Sequence, residues 1–212
     1  MAKLKECFKN IAQIFWPFLE GERKEDNSLF TQPKEMLNKL ETINDINLLT
    51  QFLTMAEKLY LEEKDRLRTV EAKGTTFLGT SGFAAALLIW LAQTIKSEGF
   101  IDHYWLSIIV TVLYTFTQIY FIMTIYYSAC TLSRRRYSTI DRAKIFPREE
   151  TEYATYLKRI AVIYITNYSR NLRITNEKTD LVALAQENFL RALICIGVIG
   201  VLFAIDKLLS LV

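Results

Sequence analysis

The chain has 212 residues, enough for one ordinary domain with a sizeable core, and 51% of them are apolar. A formal net charge of +3 is too small to make the whole chain a nucleic-acid binder by charge. The three cysteines, Cys7, Cys130 and Cys195, are far apart, odd in number and not in CxxC spacing, and suggest neither a disulfide framework nor a zinc site. The apolar residues are gathered into long uncharged runs with charges between them, and glycine, proline and strand-length alternation are scarce. That pattern gives an all-α integral membrane protein as the expected fold class.

The first 20 residues place Leu4, Phe8, Ile11, Ile14, Phe15, Phe18 and Leu19 at helical spacing, with Lys3, Lys5 and Lys9 on the remaining surface. The stretch lacks the continuous apolar core and small-residue cleavage site of a signal peptide. It reads as an amphipathic helix over residues 1–20, lying on the inner leaflet or packed on a cytoplasmic domain. Residues 21–43 read as a polar linker and a short helix. Asn44 or Asp45 is placed to cap a helix beginning near Ile46. From there a heptad pattern runs through Ile46, Leu49, Leu53, Ala56, Tyr60, Glu63, Leu67, Val70, Gly74 and Phe77, and Glu63 alone breaks it. One helix of roughly 50 residues is therefore predicted, cytoplasmic over 44–76 and continuing into a first span over 77–95.

Phe77 to Ile95 is 19 residues without a charge, close to what a bilayer core requires. Thr75, Gly79, Gly82 and Ala86 make a small-residue stripe that admits a close helix neighbour, from the same chain or a second copy. After a short loop around Lys96 to His103, a second span is expected over 104–128, so the two form an antiparallel hairpin. Trp90, Tyr104 and Trp105 mark one membrane border, and Tyr126 and Tyr127 the other. The second span carries a polar stripe, Ser107, Thr111, Thr115 and Gln118, with Tyr114 alongside. Such side chains either bond a neighbouring helix or line a pore in an oligomer.

Residues 129–188 read as a cytoplasmic helical region. A helix is expected from near Pro147–Arg148 to about Arg173, carrying Tyr153, Tyr156, Leu157, Ile160, Ile163, Tyr164 and Tyr168, with a break near Thr175–Asn176. Arg134, Arg135, Arg136, Arg170 and Arg173 are candidates for contacts to an anionic ligand or to lipid headgroups. A third span is expected over 189–211. Its uncharged centre, Ala192 to Ile205, is only 14 residues, with Arg191 and Lys207 placed to snorkel at either end. The competing expectation is a helix lying against the hairpin. Gly197, Gly200 and Ala204 give this segment its own small residues, and Asp206 reads as an interfacial acid or an outer-mouth ring. The basic residues lie before the first span and after the second, which puts the N-terminus and residues 129–188 in the cytoplasm.

The only histidine is His103, and HExxH, GxxxxGK[ST], GxSxG and paired intramembrane acids are all missing from the sequence. No catalytic residue, metal or cofactor is expected, and the chain reads as a non-enzyme.

The run Val70-Glu71-Ala72-Lys73-Gly74-Thr75-Thr76-Phe77-Leu78-Gly79 carries a charged helix through an Ala-Lys-small-small boundary into the first span. Asn176-Glu177-Lys178, followed by Leu181, Ala185 and Phe189, leads to the last one. Over about residues 55 to 211 these features resemble bacterial anti-phage transmembrane effectors of the Pycsar type and the related SLATT group. The resemblance implies a homo-oligomeric effector in the bacterial inner membrane. A cytoplasmic nucleotide messenger or partner protein releases it, and it then forms an ion-conducting pore or otherwise depolarises the membrane. The chain departs from the simplest Pycsar pattern in having no recognisable nucleotide-binding module and in adding the basic N-terminal helix. Control by a separate partner is therefore open. The alternative expectation is a non-conducting anchor or scaffold that recruits a soluble partner through residues 129–188.

Overall fold

The computed structural model describes residues 33–98, 104–133, 137–140 and 152–209. They form four helices: α1 (Pro33–Glu41), α2 (Ile46–Glu98), α3 (Tyr104–Leu132) and α4 (Tyr153–Leu209), with no strand among the described residues. The expected helix over 1–20, the linker up to residue 32, the Arg134–Arg136 run and the Pro147–Arg148 helix start lie outside the described residues.

Helix α1 begins on Pro33, whose missing N–H falls where a helix has no use for one, and it has Glu35 in its first turn and Lys39 in its last. The chain then turns tightly. Ile43 N donates to Leu40 O at 3.1 Å and Thr42 Oγ1 to Lys39 O at 2.9 Å. Asp45 is the cap of α2: its Oδ1 accepts from Asn47 N at 2.8 Å and from Leu48 N at 3.4 Å. Nothing stops the helix for 53 residues.

The buried positions of α2 recur every 3.5 residues, through Leu49, Ala56, Tyr60, Glu63, Val70, Gly74 and Ser81. Ile46, the first residue of the expected seam, is exposed, and Ser81 extends the seam beyond its expected end. In α4 the same repeat runs through Leu157, Ala161, Asn171, Thr175, Lys178, Val182, Ala185, Ala192 and Asp206. The break expected near Thr175–Asn176 does not occur, and α4 continues for 57 residues. Asparagine and threonine end helices when their side chains compete for local backbone groups. Here Asn171 and Asn176 are engaged away from their own turns, and Thr175 Oγ1 returns its proton to Asn171 O at 3.1 Å without disturbing the helix.

The chain divides into two compact units, which we call polar and apolar. In the described part of the polar unit (33–70, 137–140 and 152–178), Leu40, Leu49 and Leu157 form a core joined by Ile43, Phe52 and Tyr156. Lys158 Nζ caps the end of α1 by donating to Glu41 O at 3.1 Å. The segment after α3 is tied to α4 by a reciprocal pair. Ser138 N donates to Asn171 Oδ1 at 2.9 Å, and Asn171 Nδ2 donates to Ser138 O at 3.0 Å. Asn171 thus pairs with a peptide group as a strand neighbour would. Ser138 Oγ also donates to Asn167 Oδ1. Tyr60 and Tyr164 meet edge to face at 5.7 Å.

In the described part of the apolar unit (71–98, 104–133 and 179–209), Tyr120, Phe121 and Ala192 form the core, with Ala84, Leu88, Phe189 and Ile196 against it. Phe189 meets Phe77 at 5.6 Å and Phe121 at 6.0 Å, both edge-on. Helices α2 and α3 approach closely at Gly74, where a Cβ would stand 3.1 Å from Thr131 Cγ2. Two helices, α3 and α4, are long and apolar enough to cross a membrane. The expected first span, 77–95, is helical throughout, while the side chains of Leu91, Thr94 and Ile95 lie outside the described residues.

Burial, and then the nearby Glu57, Tyr60 and Tyr156, push the Tyr164 hydroxyl above the usual tyrosine range. The folded chain therefore holds this proton more tightly than the unfolded chain. The resulting stabilisation is present below the unfolded value of about 10 and is lost as pH rises through the folded one. Tyr164→Phe should flatten the alkaline limb of the stability profile while leaving its neutral region nearly level. Denaturation monitored between neutral and alkaline pH checks this, and an unaltered alkaline slope would count against the burial of Tyr164.

Candidate functional site

The apolar unit sorts its side chains in the opposite sense to a water-soluble bundle. Its outward positions on α3 include the large apolar Ile108, Ile109, Val112, Phe116, Ile119 and Ile122. Those on α4 include Leu190, Leu193, Ile194, Val198, Val201 and Ile205. Its fully buried positions include Ser81, Thr117, Thr124, Ser128 and Thr131, joined by the nearly buried Asn188. Most of these inner groups satisfy themselves on their own helix. Thr117, Thr124 and Thr131 donate to the carbonyls of Leu113, Tyr120 and Tyr127, and Asn188 donates to that of Leu184. The hydroxyls of Ser81 and Ser128 are sealed from solvent without a hydrogen-bond partner.

This inner polar row was not singled out in the sequence, yet its signal is there. Thr117, Phe121, Thr124, Ser128 and Thr131 keep the 3.5-residue repeat, with hydroxyls where leucine is usually sought.

The expected polar stripe of the second span is divided by the structure. Thr111 and Thr115 are exposed, and their hydroxyls donate to Ser107 O at 2.8 Å and Thr111 O at 2.9 Å, so both are tied to α3 itself. Ser107 is half-buried. Gln118 turns inward, where its Nε2 donates to the Tyr114 hydroxyl at 3.2 Å. Tyr114 in turn donates to Leu88 O at 3.3 Å, fastening α3 to α2. On α3, Trp105 and Tyr126 are both exposed and stand 21 residues apart, roughly 32 Å along a helix and close to a hydrocarbon thickness.

The small residues face away from the chain. Gly79, Gly82, Ala86, Gly197 and Gly200 are all exposed, and a Cβ built on any of these four glycines meets nothing within 4 Å. Gly74 alone among the described glycines serves a close approach inside the unit. Asp206, read as interfacial from the sequence, is instead 1% exposed and engaged with a neighbour. Arg191 is half-buried and pairs with Glu187 one turn away at 3.6 Å, so the charge that shortened the uncharged run stays balanced on its own helix.

Of the candidate anion contacts, Arg170 and Arg173 are exposed on α4, with Arg173 3.5 Å from Glu177, and Arg134, Arg135 and Arg136 lie outside the described residues. The polar unit also has an apolar groove of about 500 Å³, lined by Leu40, Ile43, Leu48, Phe52 and Met55 with Lys39 at its edge. Among the described residues, no group of three or more His, Cys, Asp and Glu could hold a metal ion. No family model, curated protein or solved structure matches this chain.

The two kinds of glycine separate by mutation. Gly74→Leu forces a side chain into Thr131 and should destabilise the chain by about 1–3 kcal/mol. Gly79→Leu enters open space and replaces a glycine in mid-helix, so it should leave the stability of the detergent-solubilised chain unchanged or raise it by up to about 1 kcal/mol. Thermal unfolding of the two variants side by side is the measurement, and equal losses would place the Gly79 row inside the fold.

Proposed function

We propose that this protein is a multi-pass membrane effector that self-associates and depolarises the bacterial inner membrane in anti-phage defence. The observation that carries the reading is the outward placement of Thr111, Thr115, Gly79, Gly82, Gly197 and Gly200 beside outward large apolar residues such as Phe83, Leu87, Ile108, Val112, Val198 and Val201. Outward glycine rows in a bilayer let a second copy approach closely. Outward hydroxyls become a polar lining once several copies close a ring. Three spans follow, from α2 beyond Phe77, from α3 and from the last part of α4, with Trp105 and Tyr126 at the two interfaces. The basic residues flanking the hairpin put the N-terminus and residues 129–188 in the cytoplasm.

The resemblance to Pycsar-type and SLATT effectors supplies the setting. The polar unit receives a nucleotide signal or a partner protein, with Arg170 and Arg173 among its exposed cations, and the apolar unit acts on the membrane. The chemistry is physical rather than covalent, and no residue is assigned a catalytic role.

Membrane potential, read with a voltage-sensitive dye in bacteria expressing the chain with and without phage challenge, tests this. Depolarisation is expected, and Thr111→Leu combined with Thr115→Leu should abolish it. Ion flux that persists in the double variant would remove Thr111 and Thr115 from the lining. A potential that stays steady in both conditions would leave the non-conducting anchor, whose activity depends on the polar unit alone.

A further inference from the structure

The seam of α2 in the polar unit is apolar on either side of one residue. Leu49, Ala56 and Tyr60 precede it and Val70 follows, all buried. At the centre stands Glu63, only 4% exposed. Its Oε2 lies 3.6 Å from Arg66 Nη1, a loose contact within the same helix, and its Oε1 is sealed from solvent with no hydrogen-bond partner. The Arg66 guanidinium is shared, because Nη2 donates to Asn176 Oδ1 on α4 at 2.9 Å.

The two contacts have different consequences. The Glu63–Arg66 pair is three residues apart on α2 and survives whether or not α4 is present, so it does nothing to hold the helices together. The Arg66–Asn176 bond does hold them, and the burial of Glu63 Oε1 opposes them, since a buried charge without a full set of partners is costly. A second observation points the same way. On α4, the seam positions from Asn171 through Thr175 to Lys178 are polar and buried. Apart from Val70 and the Tyr60–Tyr164 contact, separating α2 from α4 there exposes mainly polar groups, so the hydrophobic effect resists it less than at the Leu40–Leu49–Leu157 core.

We propose that Glu63 makes the polar unit a poised switch, in which α2 and α4 part first at the Glu63–Arg66–Asn176 latch while the Leu40–Leu49–Leu157 core stays closed. The device goes beyond the membrane-effector reading and does not depend on whether the chain conducts ions.

The test is amide hydrogen exchange, followed by mass spectrometry, on the full chain in lipid nanodiscs. Glu63→Leu should slow exchange over residues 56–70 and 164–178 by about tenfold or more, because a well-packed apolar residue replaces the buried carboxylate. Arg66→Met should speed exchange in the same segments, and adding Glu63→Leu to it should bring exchange back below the wild-type rate. Unchanged or faster exchange in Glu63→Leu overturns the switch. Should the leucine variant fail to accumulate, Glu63→Gln removes the charge at nearly constant shape and must also slow exchange. Faster or unchanged exchange there overturns the proposal equally.

Discussion

The repeat of 3.5 residues along α2, α3 and α4 is the constraint on which the rest of the structure depends. A straight helix drifts by about 20° per heptad against such a repeat, so a pattern kept this strictly keeps one face toward a partner helix. On α2 it runs from Leu49 to Ser81, on α3 from Thr117 to Thr131, and on α4 from Leu157 to Asp206. The period decides which side chains are inside, but it does not decide their chemistry. Leucine, alanine, serine, threonine, asparagine, glutamate and aspartate all occupy seam positions, and what they share is position.

That separation of position from polarity accounts for the inverted apolar unit. On the proposed reading, in which this unit lies in hydrocarbon, there is no hydrophobic gain in moving a leucine from lipid to a helix interface, so apolar side chains have no preference for the inside. Small residues gain because they let backbones approach, as Gly74 does against Thr131. A threonine hydroxyl is inexpensive at such a contact because it returns its proton to the carbonyl four residues back, as Thr117, Thr124 and Thr131 do. The volume left between the helices is then filled by a few large rings, Phe77, Phe121 and Phe189, meeting edge to face.

Much of this was legible in the sequence, and the places where it was not share one cause. The expected helix over Ile46–Ile95, capped by Asn44 or Asp45, is observed from Ile46 to Glu98 with Asp45 as its cap, because its seam is mostly apolar and no proline interrupts it. In sequence, α4 divides into two pieces because Thr175 and Asn176 look like a helix end. The partners of this stretch, the Ser138 peptide group for Asn171 and Arg66 for Asn176, are distant in sequence and invisible to a local reading. The candidate site divided in the same way. A polar stripe on α3 was visible from composition, but only the helix neighbours decide that Thr111 and Thr115 face out while Gln118 reaches Tyr114. The inner row of hydroxyls keeps the seam repeat without the apolar residues that mark a seam in sequence, so periodicity of leucine and its like does not reveal it.

Polar seam residues also solve a problem that a regular heptad creates. An unbroken apolar seam can slip by seven residues and still bury a comparable surface, so it holds helices together without fixing their register. A few buried polar groups with specific partners remove that freedom. Asn176 on α4 meets Arg66 on α2 in one register only, while Asn171, paired with the Ser138 peptide group, ties α4 to the segment after α3. A slip of one heptad between α2 and α4 would leave the Arg66–Asn176 bond unmade, a penalty that adds to the small difference in apolar burial between registers. The polar unit thus gives up some apolar burial in the middle of its seam in exchange for a single alignment of α2 and α4. The residues that make the sequence look as though a helix ends there are the ones that hold the long helix in place.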